Sequence, residues 1–252
     1  MSEPAASISF DRIAAIYEES RGGIRRGGSF ARSIASYLRP GTTLEIGIGT
    51  GSVALPLTES GHPVVGVDLS INMLELAHER LGSRVALGDV MALPVAPASV
   101  PNVVAVWVFQ LVGSVDATLR EARRALVPGG RFVIIPSRAA CDPDDIDAVT
   151  VDFHVAIHGA RQDDPDNLVA LAAPAGLDLV ERIETAPQEF DETPAALIHR
   201  IETRGYGILL DLGDDDWQRV VAPALAALRS LPDPERPRRR VARHTALVFE
   251  AV

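Results

Sequence analysis

Short apolar runs alternate with amphipathic helical patterns through the first half of the chain. The runs predict strands at Thr43–Ile46, Val64–Val67, Val85–Leu87, Val103–Val108 and Arg131–Ile135. The patterns between them predict helices at Ser52–Ser60, Asn72–Leu81 (with Ser70 as N-cap) and Asp116–Leu126, the last one ended by the PGG at 128–130. Strands that alternate with helices through short loops indicate right-handed crossovers and a parallel sheet.

The segments on either side of this core also predict regular structure. The predicted helices are Ile8–Glu19 and Ser29–Leu38, which flank the glycine-rich RGGIRRGG, and then Asp166–Ala173, Thr193–Thr203 and Asp214–Leu231, after an acidic helix start at Asp142–Asp147. The predicted strands are Leu177–Ile183 and Thr245–Ala251. No repeat, low-complexity segment or long linker interrupts the sequence, so nothing predicts a division into domains.

Composition narrows the class of protein. The chain has 252 residues, of which 47% are hydrophobic, so a sizeable core can form. No apolar run approaches the ~20 residues that cross a bilayer, and the N-terminal MSEPAAS has neither a basic start nor an apolar signal core. We therefore expect a cytoplasmic protein with no membrane partner. Cys141 is the only cysteine, which excludes a disulfide framework and a cysteine zinc cluster, and we expect no metal.

The net charge of −10 argues against a general nucleic-acid binder. One basic cluster stands out, formed by Arg236, Arg238–Arg240 and Arg243 beside several prolines. We predict a solvated loop before the last strand, and the alternative is a docking patch for an acidic acceptor or partner.

A glycine-rich turn, LEIGIGTGSVALPL, follows the first predicted strand. The acid Glu45 precedes three glycines, at Gly47, Gly49 and Gly51, and a helical pattern begins directly after them. Glycines at such a junction let the backbone turn sharply and approach a ligand, while the helix that follows presents free amide groups. A dinucleotide site needs G-x-G-x-x-G, and the sixth place from Gly47 is Ser52, so the match to that class is imperfect.

Two further acids end the next predicted strands. Asp68 follows the run 64–67, about 20 residues past the turn, where a carboxylate can accept hydrogen bonds from a ribose diol. Asp89, in GDVMALP, can accept from the exocyclic amine of an adenine while the backbone of Val90 reads the ring edge. Because parallel strands end at one edge of the sheet, these acids and the glycine turn indicate a nucleoside site.

These motifs carry a family resemblance. LEIGIGTGSVALPL, VVGVDLSINMLELAHERL, GDVMALPVAPASV and LREARRALVPGGRFVIIPS resemble, in order and spacing, the motifs of class I S-adenosylmethionine-dependent methyltransferases, and the chain is most similar to the ubiquinone/menaquinone-biosynthesis-like subgroup. FDRIAAIYEESRG resembles the opening helix of that subgroup. The resemblance covers about residues 10–137, and beyond Ser137 it holds only in outline.

The resemblance implies an α/β fold: a Rossmann-like, seven-stranded, mostly parallel sheet with helices on both faces and an antiparallel last strand. It implies a single methyltransferase domain over 1–252, with an N-terminal helical cap (1–40), a cofactor-binding core (41–137) and acceptor-side elaboration with closing strands (138–252). The implied reaction is in-line methyl transfer from S-adenosylmethionine to a small-molecule acceptor. Neither the acceptor nor the oligomeric state can be read from the residues.

The resemblance also implies roles for individual residues at the cofactor. The residues implied to pass under the cofactor or contact its amino-acid end are Glu45, Gly47, Ile48, Gly49, Gly51, Gln110, Tyr17 and Arg21. Those implied to contact the ribose and adenine are Asp68, Leu69, Met73, Asp89 and Val90, and those beside the methyl position are Trp107 and Phe109. Core packing remains an alternative for Met73 and Trp107, as does a surface pair for Tyr17 and Arg21.

A catalytic base is less evident. His154 and His158 lie four residues apart, and a histidine titrates near neutrality and can deprotonate a hydroxyl. We predict that one of them acts as general base or contacts the acceptor. His199, Arg200 and Arg204 form a weaker set that would hold an acidic acceptor.

Two other functional classes stay open. A nicotinamide-dependent oxidoreductase would need a sixth-place glycine and a catalytic pair such as Tyr/Lys, and neither is evident. A non-catalytic S-adenosylmethionine-binding protein that kept the fold is the second alternative.

Overall fold

The computed structural model describes residues 22–158, 162–206, 209 and 212–252, without the side chains of residues 157 and 158. The predicted helix Ile8–Glu19 lies outside them. The chain divides into two compact units. The first comprises the described residues up to 139, together with 162–186 and 243–252, and the second comprises 140–161 and 187–242. The expectation of a single domain over residues 1–252 stays a prediction.

The described elements follow in chain order. The strands are β1 (Thr43–Ile46), β2 (Val64–Asp68), β3 (Val85–Leu87), β4 (Val100–Val106), β5 (Leu126–Ile135), β6 (Ala139–Cys141), β7 (Leu177–Glu184), β8 (Gln188–Glu192) and β9 (Arg238–Ala251). The helices are α1 (Gly23–Ile34), α2 (Ala54–Glu59), α3 (Ile71–Leu81), α4 (Val115–Ala125), α5 (Asp145–His158), α6 (Pro165–Ala172), α7 (Pro194–Glu202), α8 (Asp214–Asp216) and α9 (Ala222–Arg229), with a π-helical segment Trp217–Val221 before α9. Short 3₁₀ turns lie at Ala35–Tyr37, Gly82–Arg84 and Ala173–Ala175.

The sheet of the first unit runs in the order β3-β2-β1-β4-β5-β9-β7. Strands β1 to β5 pair in parallel, whereas β9 pairs antiparallel with both β5 and β7. The predicted Rossmann-like, mostly parallel sheet with an antiparallel last strand is therefore confirmed. The predicted number of seven strands is too low for the described residues, because β6 and β8 also belong to the nine-stranded sheet. The carboxyl ends of the parallel strands meet at one edge, which is where open α/β sheets bind ligands.

Alternating residues of the central strands bury two separate cores. Val103 and Phe132 belong to one core, with Leu119 of α4 and Leu168 of α6. The next residue along each strand belongs to the other core, which holds Phe30 of α1, Leu57 of α2 and Leu74 of α3. Because successive side chains of a strand point to opposite faces, helices cover both faces of this sheet.

Local signals placed several helix starts correctly. Ser70 caps α3 by accepting a hydrogen bond from the backbone N–H of Met73. Thr193 caps α7 and Asp164 caps α6 in the same way. These caps satisfy amide groups that have no partner inside the helix.

The predicted bounds of β4 are wrong at both ends, since the strand runs from Val100 to Val106, and the predicted bounds of β5 are wrong at its start. β4 begins at Val100 and includes the buried polar residue Asn102. The Asn102 side chain accepts a hydrogen bond from the backbone N–H of Arg39 at 2.7 Å and donates one to the Arg39 carbonyl at 2.9 Å, so its burial leaves no polar group unpaired. β5 begins at Leu126, and PGG does not separate helix from strand. It lies within β5, where the register against β4 shifts between Val100 and Asn102.

The second unit has its own apolar core. The buried residues of this core are Ile146, Phe153, Leu197, Ile201, Leu209, Val221, Ala224, Leu225 and Leu228. They come from α5, α7, α9, the π-helical segment and Leu209. Strand β8 pairs with the first half of β9, from Arg238 to Ala242.

The predicted solvated loop at the basic cluster is wrong, because residues 238–243 lie in β9. In the second unit, Arg238 binds Asp145 at 2.8 Å, and Arg240 binds Asp144 at 3.1 Å and also Asp147. The side chains of Arg238 and Arg240 are only 13% and 10% exposed. These two arginines are therefore internal ion-pair partners, which also removes them from the alternative docking patch.

None of the described helices has both the length and the apolarity that a bilayer span requires.

Candidate cofactor-binding site

The glycine turn between β1 and α2 has a left-handed backbone. Gly47, Gly49 and Gly51 have φ values of +64°, +54° and +76°. A Cβ at Gly47 would stand 2.5 Å from Cγ2 of Val108, so this position excludes any side chain. A Cβ at Gly49 would meet no protein atom within 4 Å. The turn therefore presents bare backbone to an open space at the carboxyl edge of the sheet.

A small pocket, open to solvent, lies above this turn in the first unit. Its walls are the glycine turn, helix α1 and the end of β4. The lining residues are Gly23, Arg26, Gly27, Phe30, Glu45, Gly47, Ile48, Gly49, Thr50, Ser52, Val53, Val106 and Trp107.

Glu45 is a buried acid in the wall of this pocket. The residue is 2% exposed, and Oε2 has no hydrogen-bond partner among the described residues. Burial raises the pKa of Glu45 to about 8, and repulsion from the Asp68 carboxylate contributes to the rise. An unsatisfied buried carboxyl is costly to the fold, which indicates a group that a ligand satisfies.

Asp68 ends β2 beside the turn. Its Oδ2 accepts a hydrogen bond from the backbone N–H of Gly49 at 2.8 Å, and its Oδ1 accepts from that of Ser70 at 2.9 Å. The acid therefore lies within hydrogen-bonding distance of the turn, although it does not line the described pocket.

The predicted adenine residues lie just beyond β2 and β3, except Met73, which lies in the first turn of α3. Asp89 accepts a hydrogen bond from the backbone N–H of Met91 at 2.8 Å. Met73 and Val90 are buried, whereas Leu69 is 37% exposed. Burial leaves core packing open as the role of Met73.

An aromatic cluster closes the pocket near the end of β4. The indole of Trp107 lies 5.5 Å from the ring of Phe30 and 5.5 Å from that of His244. The guanidinium of Arg26 lies 4.5 Å above the Trp107 ring, a cation–π arrangement. Trp107 has a φ of +57°, and this left-handed residue ends β4. Burial, and next the charge of Arg26, lower the pKa of His244 to about 4.

Helix α1 explains why sequence reasoning missed Arg26 and Phe30. The glycine-rich segment 21–28 was not expected to be helical, yet α1 begins at Gly23. A Cβ at Gly27 would stand 2.0 Å from the carbonyl oxygen of Ser52, so α1 reaches the turn only because this residue is glycine. The four-residue spacing of Arg26 and Phe30 was the available signal, since it places both on one helix face.

The structure brings some of the predicted residues together and leaves others apart. Those that line the pocket are Glu45, Gly47, Ile48, Gly49 and Trp107. Those outside its lining are Gly51, Asp68, Leu69, Met73, Asp89, Val90, Phe109 and Gln110. Gln110 donates a hydrogen bond to the carbonyl of Trp107 at 2.5 Å, and Phe109 is buried in the core. Tyr17 and Arg21 lie outside the described residues.

The predicted base and acceptor residues belong to the second unit. His154 is partly buried on α5, with its ring 5.4 Å from that of Phe153, and the side chain of His158 lies outside the described part. Arg200 makes two hydrogen bonds to Glu192, at 2.9 and 2.8 Å.

The remaining members of the weaker set also lie on or next to α7. His199 lies on α7, and Arg204 stacks on Trp217 at 4.7 Å. The catalytic roles of all these residues stay predictions.

Comparison with known proteins places the glycine turn and strands β1 to β5 in a known domain. Residues 44–134 match a family model described as a methyltransferase domain. The chain is similar to the methyltransferase GfsG of Streptomyces halstedii, with 34% identity over 61% of this chain and 59% of the relative. It is also similar to the demethylmenaquinone methyltransferase of Symbiobacterium thermophilum, with 33% identity over 40% of this chain and 44% of the relative. The chain thus spans about half the length of these curated relatives.

A solved structure supports the same fold. The crystal structure of an S-adenosylmethionine-dependent methyltransferase from Thermotoga maritima superposes with a TM-score of 0.56 at 19% identity, over 98% of this chain and 99% of that one. Taken with the matched motifs, this likeness confirms the resemblance drawn from the sequence. Over the matched residues 44–134, the chain is thus similar to class I S-adenosylmethionine-dependent methyltransferases in its motifs and its fold.

Proposed function

We propose that this chain transfers a methyl group from S-adenosylmethionine to a small-molecule acceptor. One observation carries the proposal: a left-handed glycine turn joins a buried, unsatisfied acid, Glu45, to the acid that ends the second strand, Asp68. The bound cofactor supplies a methyl group on a positively charged sulfonium. The names of the two curated relatives, both of them methyltransferases, support this reaction class.

The residues of the turn fit the parts of this cofactor. Asp68 holds the ribose hydroxyls, and Asp89 with the backbone of Val90 holds the adenine edge, beside Leu69 and Met73. Glu45 faces the ammonium of the amino-acid end. Arg26 lines the same pocket. Like Tyr17 and Arg21, it is a candidate partner for the carboxylate of the cofactor, because a guanidinium can donate two parallel hydrogen bonds to a carboxylate.

The other contribution of the chain to the reaction is to position the cofactor and the acceptor. In-line displacement at a sulfonium needs no covalent protein nucleophile, so most of the rate enhancement can come from alignment and from exclusion of water. Trp107 closes the pocket with an aromatic ring, whose face attracts a nearby cation. His154 or His158 would remove a proton from an acceptor that requires it.

The acceptor class follows from charge. A net charge of −10 disfavours nucleic acid, so a small molecule is proposed, with its methylated atom left open. We place the protein in the cytoplasm as part of the same proposal.

Ligand-induced thermal stabilisation tests the function. S-adenosylmethionine and S-adenosylhomocysteine should raise the Tm, because a ligand at 100 times its Kd adds about 2.7 kcal/mol of stability. NAD should not raise it. Stabilisation by NAD alone would instead favour the oxidoreductase. Binding without release of S-adenosylhomocysteine, across acceptors that offer oxygen, nitrogen and carbon nucleophiles, would favour the non-catalytic alternative.

A further inference from the structure

The carboxyl group of Glu45 occupies a setting that opposes its ionisation. The residue is 2% exposed on β1, and Oε2 finds no hydrogen-bond donor among the described residues. Asp68, fixed by the N–H groups of Gly49 and Ser70, stands near enough to repel a second negative charge. Burial and this repulsion raise the pKa of Glu45 to about 8, so before a ligand binds the carboxyl is mostly protonated at neutral pH.

Among the described residues, the charged groups around Glu45 come from two other elements. Asp68 faces it from the end of β2, and Arg26 of α1 lines the same pocket. The described residues of the glycine turn add only the hydroxyls of Thr50 and Ser52. The guanidinium of Arg26 is stacked on Trp107, at 4.5 Å, and is not among the groups that shift the pKa of Glu45. A cationic ligand group would therefore be the new positive charge beside this carboxyl.

We propose that the amino-acid end of the cofactor ionises Glu45, so that the protein releases a proton as the cofactor binds. The inference rests on the proposed function. The O–H bond of the carboxyl breaks, the proton passes to the buffer, and the carboxylate accepts a hydrogen bond from the ligand ammonium. Charge-assisted hydrogen bonds of this kind offset the cost of a buried carboxylate. Binding therefore tightens as the pH rises toward 8, because the proton and the cofactor compete for one group.

Calorimetric titration in two buffers of different ionisation enthalpy measures this proton. The probe is S-adenosylhomocysteine, which has the same amino-acid end and transfers no methyl group. At pH 7, in phosphate and in Tris, we expect the apparent enthalpies to differ by the equivalent of roughly one proton released for each molecule bound. The second probe, 5′-methylthioadenosine, has the nucleoside without the amino-acid end, and it should release none.

Glu45→Gln is the test variant, and Glu59→Gln, an exposed change at the end of α2, is its matched control. The test variant should lose the proton release and bind S-adenosylhomocysteine at least about tenfold more weakly, while it binds 5′-methylthioadenosine as before. Equal enthalpies in the two buffers for the parent protein, or an unchanged release in the test variant, would overturn the proposal.

A second measurement covers the case in which the test variant does not fold. For the parent protein, we expect the Kd of S-adenosylhomocysteine to fall roughly 25-fold between pH 6 and pH 7.5, as a group with a pKa of about 8 gives up its proton on binding. The Kd of 5′-methylthioadenosine should stay constant. The same pH dependence for both nucleosides would also refute the role of Glu45. Failure of the function itself looks different, because then neither nucleoside binds at any pH.

Discussion

The carboxylate of Asp68 accepts a hydrogen bond from the backbone N–H of Gly49 at 2.8 Å, across 19 residues of sequence. The acid that ends β2 thus holds the glycine turn that follows β1. Both lie at the carboxyl edge of the sheet, where the chain reverses strand order between β1 and β4. An acid fixed in this way is already oriented before any ligand arrives, which lowers the entropic cost of binding.

Asp68→Asn removes the charge and keeps the size of this side chain. We expect the Kd of S-adenosylhomocysteine to rise about 10- to 100-fold, because hydrogen bonds to a charged group contribute roughly 1.5–3 kcal/mol. Calorimetry measures the affinity at a temperature well below the Tm, which should also fall, because the amide has one acceptor oxygen for the two N–H groups of Gly49 and Ser70. Asp178→Asn, at an exposed position of β7, is the control and should bind as the parent does. Normal binding by the Asp68 variant would place the ribose elsewhere.

Gly49→Ala tests whether the ligand passes over the bare backbone of the turn. The new methyl group meets no protein atom within 4 Å. The free energy of unfolding should therefore fall only by the amount that a left-handed alanine costs, about 1–2 kcal/mol. We expect at least tenfold weaker cofactor binding, because the methyl group enters the pocket. Gly61→Ala is matched to it, since Gly61 also has a positive φ (+94°) and open space around its Cβ. If both variants bind equally well, the ligand does not cross this turn.

Arg26→Gln tests the pocket cation that lies above Trp107. We expect roughly tenfold weaker binding of S-adenosylhomocysteine and unchanged binding of 5′-methylthioadenosine, because only the former has a carboxylate. Arg25→Gln, on the exposed side of α1, is the control. An equal loss for both nucleosides would assign Arg26 to packing of the helix instead.

His244 makes the stability of the protein depend on pH. Its pKa is lowered from 6.5 to about 4, so between these values the unfolded chain binds more protons than the folded one. Stability is therefore complete above pH 6.5 and is lost as the pH falls toward 4, by up to about 3 kcal/mol.

His244→Phe keeps an aromatic ring beside Phe30 and Trp107 and removes the titration. Urea unfolding at pH 7 and pH 4.5 should show a smaller loss of unfolding free energy in this variant than in the parent. His78→Gln, at an exposed position of α3, should keep the parental loss. A parental loss in the His244 variant would mean that other groups cause the acid sensitivity.

Arg240→Gln breaks an ion-pair network that is largely buried in the second unit. The side chain is 10% exposed and binds Asp144 and Asp147, so its loss leaves two acids without their partner. We expect a destabilisation of about 3 kcal/mol in urea unfolding. Arg239→Gln is the neighbouring control, because Arg239 is 71% exposed and pairs at the surface, where a change costs less than about 1 kcal/mol. Similar values for the two variants would show that burial does not matter here.

The sequence predicted most of the first unit because its signals are local. β1 and β3 have the predicted bounds, and Ser70 caps α3 as expected. An apolar run between turn residues, or a capping side chain before a helix, can be recognised without knowing what packs against it. The glycine turn and the three acids belong to this class of signal.

The errors occur where a distant partner decides the outcome. Helix α1 begins among glycines because Gly27 must approach the carbonyl of Ser52, and tertiary packing outweighs low helix propensity. The basic cluster lies largely in the first half of β9 because β8 pairs with this strand and because Asp144 and Asp145, at the start of α5, pair with its arginines. Arg26 was missed for the same reason, since its place at the pocket depends on α1.

The sequence by itself determined the strand–turn–helix order, the left-handed glycine turn and the acids that end β1, β2 and β3. These features depend on backbone freedom, periodicity and position, all of which the residue types carry. Only the tertiary structure decided that Glu45 is buried with an oxygen that has no partner among the described residues, that Arg26 stacks on Trp107 and that Arg238 and Arg240 are internal. Burial and pairing are set by neighbours distant in sequence, and they decide whether a charged side chain is solvated, paired or left for a ligand.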